Sequence, residues 1–361
     1  MDSNWKHCPS KISFKSRQTI FSMKKIFIAS AFTLLFLASC TNDKDILNSL
    51  NDYNLSKQSQ GYHFGDKLQI PQDVLDYSEA ITISFGEKET SSLAIDPKFF
   101  TLGENDVTFN IKTKDGEVLQ QDATINVFAK AKARTISYQV LNQYPHNQEY
   151  FTEGFELHDN TIYESVGLEG KSKLVKYTLG STTPTQEAAQ PTNIFSEGIT
   201  VFGDKIYQLT YKSKKGFIYD MNMKLIKEFE YPNVIGEGWG MTNDGKNLIV
   251  SDGTKNIYFL NPENPSEVVR YISVASDKEG YDLVNELEYH DGSIYANVWQ
   301  KPIILKIDPA SGEVTGILDL TNITKQNTAG NDDVLNGIAF KGENMLITGK
   351  NWSRIYEISV K

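Results

Sequence analysis

The sequence predicts an all-β protein, a five-bladed β-propeller preceded by a small immunoglobulin-like β-sandwich. Two observations carry this. From Thr135 to Lys361, short strand patterns recur with a period in the forties. Between residues 60 and 132, apolar and polar residues alternate with period two and no helical period appears.

The chain's beginning stands apart from the fold. Met23-Lys24-Lys25 opens a charged segment, and Ile26 to Leu37 is almost unbroken apolar sequence, too short to span a membrane comfortably. It closes on Leu37-Ala38-Ser39-Cys40, which resembles a bacterial lipobox with Cys40 as the lipidated residue. Met23 then reads as the start, and residues 1–39 as signal peptide and upstream extension. The other cysteine, Cys8, lies upstream, so no thiol remains for a disulfide or a thiolate metal site. Residues 40–59 are polar and read as a lipidated tether.

Charge excludes one class of partner. The whole chain carries net −10. Without residues 1–39, it has 30 basic against 45 acidic residues. Such a surface repels phosphate backbones, and no basic stripe interrupts it; nucleic acid is not expected. The expected setting is the bacterial cell envelope, with a lipid anchor in the membrane and a monomeric chain.

Residues 60–132 supply the sandwich. Ile81 to Phe85, Val107 to Ile111 and Ala123 to Val127 alternate as half-buried strands do, with turns such as Lys114-Asp115-Gly116 between them. The segment holds no cluster of titratable residues and reads as a spacer or docking module. Lys130 to Arg134 reads as a linker.

The propeller spans 135–361. Five segments superpose: Glu153-Gly154-Phe155, Glu197-Gly198-Ile199, Glu237-Gly238-Trp239, Asn285-Glu286-Leu287 and Asn336-Gly337-Ile338, spaced by 44, 40, 48 and 51 residues. Each is followed by a turn, an apolar strand and a third strand. Short strands at such a period are the signature of propeller blades, and 227 residues hold five. The last segment ends before a four-strand blade is complete. Ile136 to Val140 alternates correctly and is expected to supply the missing outer strand.

The first strand of each propeller blade lines the axis, so this repeat gathers Glu153, Glu197, Glu237, Asn285 and Asn336 at one channel mouth. Two readings stand side by side: these side chains hydrogen-bond converging strands, or they form a tuned acid/base site. Fourteen residues after three of these starts come Tyr211, Trp299 and Lys350, which with Trp239 bring aromatic faces and a cation to the same mouth. Other constellations fail. The histidines show no HxH or HExxH spacing, Gly167 to Ser172 is a turn and not a phosphate loop, and no GxSxG elbow occurs.

Several motifs resemble the glutaminyl-peptide cyclotransferases of the plant and bacterial type. They are Tyr144-Pro145-His146, Phe151-Thr152-Glu153-Gly154, Tyr163-Glu164-Ser165-Val166-Gly167-Leu168, Phe195-Ser196-Glu197-Gly198, Gly236-Glu237-Gly238-Trp239-Gly240, Asn285-Glu286-Leu287-Glu288-Tyr289, Ala296-Asn297-Val298-Trp299-Gln300, Leu335-Asn336-Gly337-Ile338-Ala339 and Thr348-Gly349-Lys350 with Trp352. The resemblance runs from about residue 138 to the end. It implies a five-bladed propeller that converts N-terminal glutamine of peptides or proteins to pyroglutamate with release of ammonia and without a catalytic metal. It also implies Glu197 as proton shuttle, Phe151 and Phe195 as walls of the substrate pocket, and Trp239, Asn285, Trp299 and Lys350 as groups that bind or polarise the substrate. Two positions depart: the family commonly has Gln where this chain has Glu153, and Trp where it has Tyr211. No cofactor is implied, and a structural cation between the channel carboxylates is the sole inorganic species the reading allows. The rival reading is a non-catalytic surface lipoprotein whose channel mouth binds a ligand or partner. A sugar-lactone hydrolase is a weaker third, since no ligand set for its metal is evident.

Overall fold

A computed structural model describes residues 39–361. The expected signal segment, the upstream extension and the side chain of Cys40 lie outside the described residues. Residues 44–361 form one compact unit.

The polar tether expected for 40–59 is instead a helix, α1 (Ser39–Gln58). Ile46, Leu50 and Asn54 recur every fourth residue, so all three fall on one face of the helix, and all three are buried. Ile46 and Leu50, with Leu47 partly covered, join the core of the following sheet. Three apolar residues at helical spacing were hidden by the polar composition around them.

The expected sandwich is corrected too. Strands Ser78–Phe85, Lys88–Thr90, Gly103–Thr113 and Val118–Val127 form one antiparallel sheet, with Lys88–Thr90 and Val118–Val127 at its edges. Alternate residues Val107, Phe109 and Ile111 are buried with Ile83, Ile125 and Val127 in the same cluster as Ile46 and Leu50. A helix therefore contributes to the apolar cover that a second sheet would supply. This small unit is also not a free spacer. Lys255 Nζ donates to Thr101 Oγ1 at 3.2 Å and to the Glu104 carbonyl. Across 128–133, Ala129 N donates to the Ser276 carbonyl at 2.9 Å and Ala133 N to Asp277 Oδ1 at 3.1 Å.

The repeat folds into five antiparallel sheets. Their innermost strands are Thr152–His158, Ser196–Phe202, Met241–Asn243, Val284–His290 and Leu335–Lys341. In the first four sheets the chain steps outward strand by strand. The fourth gains a parallel edge strand, Arg134–Ile136. The fifth is completed from the other end of the repeat: Tyr138–Pro145 pairs with Arg354–Val360. The expected closing strand thus begins two residues later, because Ile136 is taken by the neighbouring sheet. The five innermost strands contact one another in cyclic order, first to second and on to fifth with first.

Inner strands are buried on both faces; Ser196 to Val201 are buried without a break. That crowding explains the glycines. A Cβ on Gly198 would lie 2.3 Å from Met241 N, and one on Gly240 would lie 2.1 Å from the Asn285 carbonyl oxygen.

Candidate active site

Strand register corrects the repeat at one sheet. Phe155, Ile199, Met241, Leu287 and Ile338 each pair with the residue nine positions later, so they are equivalent. Two residues before them stand Glu153, Glu197, Trp239, Asn285 and Asn336. The third member of the ring is therefore Trp239 and not Glu237, which precedes its sheet's inner strand. Glu237 is half-buried and accepts from Trp239 Nε1 at 3.1 Å, with Lys212 Nζ at 3.5 Å. The Glu-Gly pair at 237–238 mimics the repeat and hid the offset.

The positions fourteen residues further on then complete a second ring: Gly167, Tyr211, Gly253, Trp299 and Lys350. The two glycines make room. A Cβ on Gly167 would lie 2.7 Å from the Phe195 ring and 2.8 Å from Glu153 Cγ, and one on Gly253 would lie 2.4 Å from the Trp239 indole. The other three fill the space with a phenol, an indole and an ammonium group.

Aromatic rings run in an unbroken arc: Phe151 to Phe195 (6.2 Å between centroids), Phe195 to Tyr211 (5.7 Å), Tyr211 to Trp239 (6.5 Å) and Trp239 to Trp299 (6.0 Å). All five are half-buried, whereas Glu153, Glu197, Asn285, Asn336 and Lys350 are buried. The result is an apolar rim over a polar floor, the arrangement of a small-molecule site.

On the floor, Lys350 Nζ donates to Glu153 Oε1 at 2.7 Å and lies 4.6 Å from the centre of the Phe151 ring. Asn336 Nδ2 donates to Glu153 Oε2 at 3.3 Å and to the Thr152 carbonyl at 2.9 Å. The Glu153 and Glu197 carboxyls share a hydrogen bond. Burial pushes Glu197 well above the usual carboxylate range, and the negative charge of Glu153 adds to it, against the opposing pull of Lys350. Burial also raises Glu153, with Lys350 opposing. Proton sharing and Lys350 thus meet the cost of crowding two carboxyls. No group of three or more His, Cys, Asp or Glu among the described residues is arranged to hold a metal.

Asn285 Oδ1, Asn336 Oδ1 and Ser196 Oγ are buried without a hydrogen-bond partner among the described residues. Asn336 adjoins Glu153 in the first ring and bonds it, Ser196 precedes Glu197 in the chain, and Asn285 stands between Trp239 and Asn336. All three are acceptors of the kind that a bound N–H group satisfies. Other inner-strand acids serve the scaffold. Glu156 Oε2 accepts from Thr200 Oγ1 and Val201 N, and Glu286 Oε1 from Phe155 N. Burial lifts Glu156 to about 7 and Glu286 well above the carboxylate range. The reading of these polar groups as hydrogen-bonding partners of converging strands thus describes Glu156 and Glu286.

The structure brings together Phe151, Glu153, Phe195, Glu197, Tyr211, Trp239, Asn285, Trp299 and Lys350. Sequence reasoning passed over Asn336 and Ser196 as site groups, although Asn336 stood in the repeat. A cavity of ≈ 540 Å³ lined by Arg134, Ile136, Tyr295 and Lys306 contains none of these residues.

Comparison with known proteins agrees with this geometry. The sequence model of the glutamine cyclotransferase family matches residues 114–360. A glutaminyl-peptide cyclotransferase of Arabidopsis thaliana is 33% identical over 230 residues, covering 62% of this chain and 71% of the relative. The glutaminyl cyclase of Myxococcus xanthus superposes with a TM-score of 0.59 at 31% identity, over 64% of this chain and 99% of that one. Both matches leave more than a third of this chain uncovered. With the family model matching well over half of its length, the chain belongs to the glutamine cyclotransferase family.

Proposed function

We propose that this protein is a glutaminyl-peptide cyclotransferase that closes N-terminal glutamine to pyroglutamate and releases ammonia, with Glu197 moving the proton. The five sheets are then the blades of a propeller, closed by the pairing of Tyr138–Pro145 with Arg354–Val360, and the site is the channel mouth. The observation that carries the assignment is the buried Glu197 carboxyl, hydrogen-bonded to Glu153 beside Lys350 and ringed by aromatic residues.

The chemistry asks little of the protein beyond what stands there. The α-amine attacks its own side-chain γ-carbonyl carbon; a C–N bond forms, the bond to the amide nitrogen breaks, and that nitrogen leaves as ammonia. Nucleophile and electrophile are already tethered, so the aromatic arc need only hold the bent conformer. The substrate's α-ammonium beside Glu197 favours its carboxylate, the reverse of what Glu153 does. Glu197 accepts the amine's proton and returns it to the leaving nitrogen, a role worth roughly 10²–10⁴ in rate. Lys350 or the Trp299 indole N–H stabilises the oxyanion. Asn285 Oδ1 accepts from a substrate N–H. Glu153, by holding Lys350, sets where that cation sits.

Cys40, after Ala38-Ser39, would carry a lipid and hold the enzyme at the bacterial cell envelope, where exported peptides or proteins with N-terminal glutamine are its substrates. Loss of a lipid-labelled band on Cys40→Ser checks the anchor; unchanged labelling counts against it. The activity itself is read as ammonia release from a Gln-initiated peptide by the purified protein, with an Asn-initiated peptide as control. Turnover of the Gln peptide alone is expected. No turnover would favour a non-catalytic binding propeller.

A further inference from the structure

Behind the site lies a second polar cluster that the reaction does not use. His146 and Glu164 are paired with side chains fully shielded from solvent (0% each), His146 Nε2 standing 3.1 Å from Glu164 Oε2. His146 Nδ1 lies 2.7 Å from the Trp352 carbonyl oxygen, which can only accept. Glu164 meanwhile accepts from Thr152 Oγ1 at 2.7 Å and Tyr177 Oη at 2.5 Å. Both ring nitrogens therefore face acceptors, and the imidazole satisfies both as a cation. Burial pulls His146 down, but the Glu164 charge and these hydrogen bonds outweigh it and raise its pKa.

The cluster joins specific pieces of chain. His146 follows the closing strand Tyr138–Pro145, while Glu164 and Tyr177 belong to the first sheet. Trp352 sits in the fifth-sheet turn that also carries Lys350. Thr152 is the residue before Glu153, and its hydroxyl lies 3.4 Å from the Gly349 carbonyl, the residue before Lys350. The other side of the turn is held by 328–334, through Lys350 N to the Val334 carbonyl and Trp352 Nε1 to the Asp333 carbonyl. A buried ion pair contributes little net stability compared with apolar packing; what it supplies is one fixed geometry.

We propose that the His146–Glu164 pair is a positioning device: it clamps the Lys350–Trp352 turn to the first sheet and thereby sets the Lys350–Glu153 contact at the reacting centre. For its effect on rate this rests on the cyclotransferase reading. His146 and Glu164 are positioning residues and touch no substrate.

A double-mutant cycle tests it. His146→Ala should lower kcat for a Gln peptide about 10²-fold, as expected for a small misplacement of a reacting group, with KM within about threefold. In a Lys350→Ala background the same change should cost less than about threefold, because its effect runs through Lys350. Equal losses in both backgrounds, or a folded His146→Ala protein within about threefold of wild-type kcat, would overturn the proposal. Should His146→Ala not fold, Tyr177→Phe removes one donor to Glu164, and the same non-additivity is expected of a smaller loss. A crystal structure of either variant decides independently of activity: the Lys350–Glu153 contact opens under the proposal, and a retained 2.7 Å contact refutes it. If the wild-type protein releases no ammonia, the cyclotransferase reading fails, while the crystal structure still settles whether the clamp places Lys350.

Discussion

Lys350 Nζ and Glu153 Oε1 lie 2.7 Å apart, with side chains 7% and 1% exposed. The pair stands where the family resemblance leads to Gln at the carboxylate position. The added negative charge is thus absorbed by a lysine that the site already holds, and its remaining effect falls on Glu197.

Glu153→Gln should move the acidic limb of kcat/KM to lower pH. Glu197 works as a base only when ionised, and Glu153's charge helps hold its pKa up. Removing that charge, and releasing Lys350 from its partner, lowers the Glu197 pKa, so activity persists further into acid. A pH–rate profile checks this; an unchanged limb, or one moved upward, would speak against the coupling.

The inner-strand glycines set the spacing of the floor. Gly240→Ala places a methyl group against the Asn285 carbonyl and should cost about 1–3 kcal/mol of stability through overpacking. Thermal unfolding measures it. A melting temperature equal to wild type would show that the strands have room to part.

Much of this was legible in the chain because repeated antiparallel sheets write their period into it. Glu153, Glu197, Asn285 and Lys350 could be found by register alone. Trp239 could not be placed properly, since Glu237-Gly238 counterfeits the motif two residues early and only strand pairing reveals the slip. The clamp was illegible for another reason: His146, Glu164, Tyr177 and Trp352 come from four segments that pairing brings together, with no shared spacing. Helix α1 was missed because Ile46, Leu47 and Leu50 are too few to raise a strong amphipathic signal among polar neighbours.

Acid should loosen the ring at the fifth sheet. Glu357 is buried, which opposes ionisation, but hydrogen bonds from Tyr144 (2.6 Å), Asn142 (2.9 Å) and Asn344 (2.7 Å), with Lys341, outweigh this and hold it down to about 2. Tyr144 and Asn142 lie on the closing strand, so this carboxylate ties it to the sheet. A depressed folded pKa gives stability that is present above the unfolded value of about 4.5 and lost as pH falls toward about 2. Glu357→Gln should therefore lower stability at pH 7 by about 1–3 kcal/mol and flatten its decline over that window. Denaturant titrations at several pH values measure both; parallel curves would contradict the assignment.

Chelation should leave turnover unchanged, since proton transfer is assigned to Glu197 and charge stabilisation to Lys350 and the indole donors. Steady-state rates before and after dialysis against EDTA check it. Lost activity restored by a divalent metal would require a different mechanism.

The central claim is that Glu197 carries the proton. Mass spectrometry of a Gln-initiated peptide incubated with wild-type and Glu197→Gln protein tests it most directly. The account predicts loss of one ammonia with the wild type and an unchanged peptide with a folded Glu197→Gln variant. Near wild-type conversion by that variant would contradict it.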